Sequence, residues 1–110
     1  MTIYITQGNY TREAIKGLLD KPEDRTEAVT NLVAAAGGKV LAFYSTFGEH
    51  DFMLITEAKS EMDAVASLLV AAGSGGVANL KTTVAIRPAD MKQVFAKAAS
   101  IAPKFHPAGK

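Results

Sequence analysis

Residues 39–57, KVLAFYSTFGEHDFMLITE, decide the fold of this chain. The segment predicts two β-strands, residues 40–47 and 50–57, that meet at a two-residue turn made by Gly48 and Glu49. Glycine in the first position of such a turn is typical of type II′, which requires a positive φ there. Both strands carry apolar side chains on both faces, whereas the remaining sequence supplies helices for one face only. We therefore expect a second copy of the chain or a ligand on the other face.

The turn fixes how the two strands pair, and the pairing sorts their side chains into two faces. Tyr44 is expected opposite Met53, and side chains alternate between the faces along each strand. The bulkier face is predicted to lie under the helices; it comprises Leu41, Phe43, Ser45, Phe47, His50, Phe52 and Leu54, joined by Ile3, Ile5, Leu80, Val84 and Ile86. The open face is predicted to comprise Tyr4, Thr6, Val40, Ala42, Tyr44, Thr46, Asp51, Met53, Ile55, Lys81, Thr83 and Arg87. Its mixed character is that of a pocket or of a dimer interface.

Helical periodicity and the breaks at glycine and proline predict the order β-α-β-β-α-β, followed by a terminal helix. This is the ferredoxin-like α+β arrangement, with a four-stranded antiparallel sheet and helices on one face. Ser60 with Asp63 predicts a capping box for the second main helix, and Asp90 with Gln93 is expected to cap the terminal helix. The face that the second main helix is predicted to pack on the sheet comprises Met62, Val65, Ala66, Leu69 and Ala72.

Composition excludes several classes of function. The 110 residues suit one domain, which we place at residues 1–100, followed by a loose tail at 101–110. A formal net charge of +1 gives no general attraction to nucleic acid or to a membrane surface. The chain has no cysteine, which excludes thiolate chemistry and is compatible with a reducing compartment. The N terminus lacks a signal-peptide pattern, and the longest apolar run, residues 68–72, is too short to cross a membrane. We expect a cytoplasmic protein.

Asp51 is the candidate catalytic residue. A carboxylate at the edge of an otherwise apolar face has a raised pKa unless it is paired, and it could act as a base. The candidate ligand-binding residues are Tyr44, Thr46, His50, Met53 and Arg87. The structural alternative is that Asp51 accepts hydrogen bonds from the turn or pairs with Lys81 or Arg87, and we favour it because structural networks also use such carboxylates.

The segment Glu49-His50-Asp51 resembles a metal-binding cluster in composition only. Neighbouring residues of a strand point to opposite faces, so His50 and Asp51 are not expected to share a ligand. The other histidine, His106, lies in the tail. We therefore predict no metal site and no cofactor.

The hairpin and its surroundings resemble the GYD domain family. The resemblance rests on residues 37–40, GGKV, and 43–58, FYSTFGEHDFMLITEA, with Tyr10-Thr11 and residues 84–87 in support. The family is named for a Gly, a Tyr and an Asp in this turn; Gly48 and Asp51 match, and His50 stands where tyrosine is usual. The resemblance implies a ferredoxin-like domain of the dimeric α+β barrel kind, in which two sheets pack face to face. It implies a small bacterial protein and supplies no mechanism.

Three hypotheses about function follow. The first is a homo-oligomeric module that binds a small apolar or aromatic molecule on the open sheet face or between the sheet and the helices. The second is a cofactor-free enzyme similar to the monooxygenases and lactone isomerases that share the barrel, with Asp51 as the base and Tyr44 or Arg87 orienting the substrate. The third is a structural or regulatory oligomer in which Gly48 and Asp51 serve the turn alone.

Overall fold

The computed structural model describes all 110 residues. The strands are β1 (Thr2–Tyr10), β2 (Lys39–Ser45), β3 (Phe52–Ala58) and β4 (Val77–Ala85). The α-helices are α1 (Arg12–Asp20), α2 (Thr26–Ala35), α3 (Glu61–Gly73) and α4 (Pro88–Ile101), and a short 3₁₀ helix (Ala102–Lys104) follows α4. No helix is both long enough and apolar enough to cross a membrane.

The four strands form one antiparallel sheet in the order β2-β3-β1-β4. Two helices, α1 and α2, connect β1 to β2, and α3 connects β3 to β4. This order of elements and strands is ferredoxin-like, so the predicted α+β fold is confirmed, with α4 as the predicted terminal helix. The two central strands, β3 and β1, carry most of the buried residues.

The hairpin has the predicted register beside its loop, but a different turn. A register shift between Val40 and Ala42 pairs Val40 with Thr56 on the helix-covered side, so the prediction that Val40 lies on the open face is wrong. Tyr44 lies opposite Met53, as predicted. The strands end earlier, however, and residues 46–51 form a six-residue connection that is closed by a hydrogen bond from the N–H of Thr46 to the carbonyl of Asp51 at 2.8 Å. Gly48 is not among the residues with positive φ, so the predicted type II′ turn is wrong. The hydroxyl of Thr46 also donates to the carbonyl of His50, at 2.7 Å, which stabilises the wider loop.

The predicted faces of β1 are reversed in the structure. Tyr4 and Thr6 are buried, with 6% and 3% of their surfaces exposed, whereas Ile3 and Ile5 lie on the opposite face. Cross-strand partners share a face, and Thr6 is paired with Leu54 beneath the helices. Tyr4 and Thr6 therefore belong to the core, and the prediction that Ile3 and Ile5 occupy it is wrong.

The open sheet face is consequently more apolar than predicted. We use this name for Ile3, Ile5, Gln7, Ala42, Tyr44, Met53, Ile55, Glu57, Lys81, Thr83 and Ala85. Its centre consists of Ile3 and Ile5 on β1 beside Met53 and Ile55 on β3. Helices α1, α2 and α3 all pack on the other side of the sheet, so the chain itself leaves these aliphatic side chains uncovered.

Helix α3 begins as predicted but is turned about its axis. The Ser60 hydroxyl accepts a hydrogen bond from the N–H of Asp63, which confirms the predicted cap. The side that faces the sheet, however, carries Ser67, Leu68 and Ala71. The residues predicted to pack on the sheet, Met62, Val65, Ala66, Leu69 and Ala72, are all exposed.

Helix α4 projects away from the rest of the molecule. The radius of gyration is 18.0 Å and the longest dimension 61 Å, whereas a compact domain of this length has a radius of about 13 Å. Within the chain, α4 contacts mainly the 3₁₀ helix that directly continues it. The helix begins at Pro88, whose fixed φ suits a first turn, so the predicted cap at Asp90 is wrong.

An apolar cavity between the sheet and the helices as candidate functional site

A cavity of about 520 Å³ lies between the sheet and helices α1, α2 and α3. Of its 22 lining residues, 15 are hydrophobic. The sheet contributes Tyr10, Phe43, Phe52, Leu54, Val77 and Leu80. The helices contribute mainly Ala14, Leu18, Val29, Leu32, Val33, Leu68, Val70 and Ala71. Its volume and lining are those of sites that hold small organic ligands.

Phe52 forms the centre of the cavity floor. Its ring lies 5.3 Å from that of Tyr10 and 6.4 Å from that of Phe43, measured between centroids. Gly8, its cross-strand partner, makes room for it. A Cβ atom at Gly8 would lie 2.8 Å from Cζ of Phe52 and 2.7 Å from Cδ2 of Leu80. The missing side chain therefore allows two large apolar residues to converge above β1.

Asp51 ties the loop between β2 and β3 to the end of β1. Its Oδ2 accepts a hydrogen bond from the N–H of Tyr10 at 2.9 Å, and its own N–H donates to the carbonyl of Gly8 at 2.8 Å. The register of β1 with β4 shifts between Gln7 and Asn9, directly beside these two hydrogen bonds. Asp51 thus fixes the backbone of Tyr10, whose ring lines the cavity.

The phenol of Tyr10 remains protonated at neutral pH. Burial raises its pKa above the ordinary value of 10.0; the positive charge of Arg25 opposes this shift and the negative charge of Asp51 adds to it. A protonated phenol can donate a hydrogen bond to a bound molecule. Tyr10 therefore offers a polar group at the edge of an apolar cavity.

Charged residues gather at one side of the cavity, in the connection between α1 and α2. Lys21, Glu23 and Arg25 line it there, and the guanidinium of Arg25 is paired with the carboxylate of Glu23 at 2.7 Å. A smaller recess of about 200 Å³ adjoins this side; it shares Tyr10 and Arg25, and only three of its eight lining residues are hydrophobic. The combined space is apolar at one end and polar at the other.

The sequence-predicted site residues fall into three places. Tyr44 and Met53 form a cross-strand pair on the open sheet face. Thr46, His50 and Asp51 lie in the loop at one end of the sheet. The third place, at the other end of the sheet, holds Arg87.

Arg87 lies 3.7 Å from the carboxylate of Glu57. Residues 51 and 57 are separated along β3 by about 20 Å, at roughly 3.3 Å per residue. One chain therefore does not bring Arg87 together with Asp51. No group of three His, Asp or Glu side chains is placed to hold a metal ion.

Sequence reasoning missed Tyr10 as a site residue. The sequence feature that could have identified Tyr10 is its position at the end of a strand, directly before Thr11, which caps α1. That position predicts a residue at the edge of the sheet, but the cavity beside it depends on how α1 and α2 pack.

A family model described as the GYD domain matches residues 4–95, which include the whole cavity and nearly all of the sheet. The chain belongs to the GYD domain family. In this GYD domain, His50 contributes its main-chain carbonyl to the loop, as the acceptor for Thr46. Any residue can supply a carbonyl, so this contact does not depend on the side chain at position 50.

Known structures similar to this GYD domain are distant. FFRP-DM1 has a TM-score of 0.46 at 18% identity, covering 78% of this chain and 100% of that protein. A hypothetical protein of Pyrococcus horikoshii, PHS023, has a TM-score of 0.45 at 18% identity, and the match covers 79% of this chain and 92% of that protein. TTHA0845 of Thermus thermophilus has a TM-score of 0.43 at 20% identity, and the match covers 79% of this chain and 95% of that protein. No curated protein sequence matches the chain.

Proposed function

We propose that this GYD domain is a homo-oligomeric protein that binds a small, largely apolar molecule in the cavity between the sheet and the helices. The observation that carries the proposal is the cavity itself, about 520 Å³ in volume and lined mainly by hydrophobic residues. A cavity of this size in a chain of 110 residues is large, because interiors are normally packed with few voids wider than a water molecule. A ligand would restore that packing.

The polar end of the cavity indicates the chemistry of the ligand. Tyr10 offers a phenolic hydroxyl, and Arg25 and Lys21 offer positive charge, of which the Arg25 charge is shared with Glu23. A ligand with an aromatic or aliphatic body and one hydrogen-bond acceptor at its end would satisfy both parts of the site. The ligand would lie with its acceptor towards the connection between α1 and α2.

The surface area of the chain supports the homo-oligomer. One chain exposes 8082 Å², whereas a compact monomer of 11.6 kDa exposes about 5,800 Å². The excess of about 2,200 Å² exceeds the roughly 800 Å² that each partner buries in an interface of standard size. The open sheet face, with Ile3, Ile5, Met53 and Ile55 at its centre, is the natural surface for a second copy, and we propose a homodimer of face-to-face sheets.

This assembly favours the cavity over the open sheet face as the ligand site. A second sheet packed over Tyr44 and Met53 would leave little space for a ligand between them. The cavity lies on the opposite side of the sheet and stays available in such a dimer. The absence of cysteine fits a reducing environment, and we propose the cytoplasm as the location.

Binding of an apolar fluorescent probe, N-phenyl-1-naphthylamine, tests the cavity. Ala71 lines the cavity, and Ala71→Phe would fill part of it; Ala34 is exposed on α2 and does not line it. We expect saturable binding that Ala71→Phe weakens on the order of tenfold or more, while Ala34→Phe leaves it unchanged. Circular dichroism verifies that both variants are folded. Equal weakening in both variants, or no saturable binding, would refute the proposal.

A cofactor-free enzyme is the second candidate, and one observation favours it. The side chain of Asp51 is held beside the cavity, because its Oδ2 lies 2.9 Å from the backbone nitrogen of Tyr10, a lining residue. With a substrate identified by native mass spectrometry, Asp51→Asn is expected to abolish turnover at a temperature where the variant is folded. Unchanged turnover would exclude Asp51 as the base.

A further inference from the structure

Helix α4 carries an apolar stripe that the rest of its own chain does not cover. Met91, Val94, Ala98 and Ile101 follow one another at intervals of three and four residues, the spacing of a helix that packs along another helix. Val94 and Ile101 are 45% and 52% exposed, and Phe95 beside them is 67% exposed. An amphipathic helix that projects from its domain needs a partner for this stripe.

Helix α3 carries a second uncovered stripe with the same spacing. Met62, Val65, Leu69 and Ala72 lie on its outer side, because Ser67, Leu68 and Ala71 face the sheet. Met62 and Leu69 are 79% and 66% exposed. The two helices are also matched in length, at about 20 Å for the 13 residues of α3 and about 21 Å for the 14 of α4.

The two helices have opposite charge. The segment 88–104, which comprises α4 and the 3₁₀ helix, contains three lysines and one aspartate, whereas α3 contains two acidic residues, Glu61 and Asp63, and no basic residue. Both acidic residues lie in the first turn of α3, and Lys97 and Lys104 lie towards the other end of the α4 segment. An antiparallel arrangement places these lysines beside the two carboxylates and also opposes the helix dipoles.

We propose that α4 of each protomer packs antiparallel against the outer side of α3 in a second copy of the chain. The stripes then face each other, with Val94 next to Leu69 and Ile101 next to Met62 of the other copy. The inference rests on the homo-oligomer proposed above and adds an exchanged helix to it. The surface excess of about 2,200 Å² per chain is large enough to be buried at two places, the sheet face and this helix pair.

Disulfide cross-linking tests the exchange in the full chain, which has no cysteine of its own. The single variants Leu69→Cys and Val94→Cys are mixed, equilibrated and oxidised, and the mixed disulfide dimer is measured by intact mass spectrometry. Both positions are exposed, so the variants are expected to fold. The matched control replaces Val94→Cys with Ala96→Cys, an exposed residue of α4 outside the apolar stripe.

The expected result is a mixed disulfide between positions 69 and 94 that forms on the order of tenfold faster than that between 69 and 96, because only facing residues reach a high effective concentration. Equal rates would overturn the proposal. A preferred disulfide between Ile55→Cys and Val94→Cys would overturn it by placing α4 on the open sheet face. Sedimentation of the unmodified chain separates the two proposals: a monomer refutes the homo-oligomer as well, whereas a dimer without the 69–94 disulfide refutes the helix exchange alone.

Discussion

The carboxylate of Asp51 holds the backbone of Tyr10, accepting a hydrogen bond from its N–H at 2.9 Å across the end of the sheet. The N–H of Asp51 also donates to the carbonyl of Gly8, so two hydrogen bonds join Asp51 to β1. The ring of Tyr10 is thereby kept against Phe52 at the edge of the cavity. Asp51 is thus connected, through one strand end, to the candidate ligand site.

Removal of the Asp51 carboxylate should destabilise the fold. Asp51→Ala leaves the N–H of Tyr10 without its acceptor, and the expected loss is about 1–2 kcal/mol in the free energy of unfolding, measured by urea denaturation. Asp51→Asn should lose less, since its amide oxygen can still accept. Glu49→Ala is the control, because Glu49 is exposed and its side chain has no such partner. If Asp51→Ala unfolded at the same urea concentration as the unaltered chain, the anchoring role would be wrong.

Gly8 on β1 and Gly48 in the loop between β2 and β3 should respond differently to alanine. Gly8→Ala brings a Cβ within 2.8 Å of both Phe52 and Leu80, and the repacking is expected to cost about 1–3 kcal/mol and to weaken probe binding. Gly48→Ala meets no atom within 4 Å and has no positive φ to accommodate, so its effect should stay within about 0.5 kcal/mol. Urea denaturation of both variants measures these two losses of stability. A larger loss of stability in Gly48→Ala would indicate a positive φ at residue 48, as in a type II′ turn.

A charge on the open sheet face should weaken the proposed homodimer. Ile5 is at the centre of that face, opposite Ile55, and Ile5→Glu would place an unpaired carboxylate between two apolar sheets. The dissociation constant, measured by sedimentation, should rise on the order of tenfold or more. Leu19→Glu, an equally drastic change on the exposed side of α1, should leave it unchanged. Equal dissociation constants for all three proteins would argue against the sheet interface.

Alkaline pH should destabilise the chain through Tyr10. Its pKa is raised in the folded state, chiefly by burial, so the folded chain holds this proton more tightly than the unfolded chain. The contribution to stability is fully present below the ordinary pKa of 10.0 and is lost as the pH rises through the folded value. Urea denaturation from pH 8 to 11 should therefore show a smaller alkaline loss in Tyr10→Phe than in the unaltered chain. Parallel curves would mean that the phenol is not the group responsible.

Features that depend on residues close together in the sequence could be predicted. The pairing of Tyr44 with Met53 follows from alternation within the hairpin, and the cap at Ser60 follows from its spacing to Asp63. The turn could not be predicted in the same way. The residues around Gly48 suit a tight turn, but the hydrogen bond from Asp51 to Gly8 on another strand keeps the loop wide.

The buried faces of β1 and α3 could not be read from those segments alone. Hydropathy favours Ile3 and Ile5 over Tyr4 and Thr6 as core residues, yet pairing with β3 determines which set lies under the helices. In α3 the more apolar side is exposed, whereas the side that carries Ser67 faces the sheet and the cavity. Hydrophobicity identifies a surface that must be covered, but it does not distinguish cover by the same chain from cover by a second copy.

Only nine of the 110 residues are buried within one chain. A protomer with so small a core has little folding free energy of its own. If a second copy covers the sheet face and α3, folding and assembly become one equilibrium, and dilution acts on this protein as a denaturant does. Its melting temperature would then rise with protein concentration, and its abundance in the cell would help to set the fraction of chains that survive proteolysis.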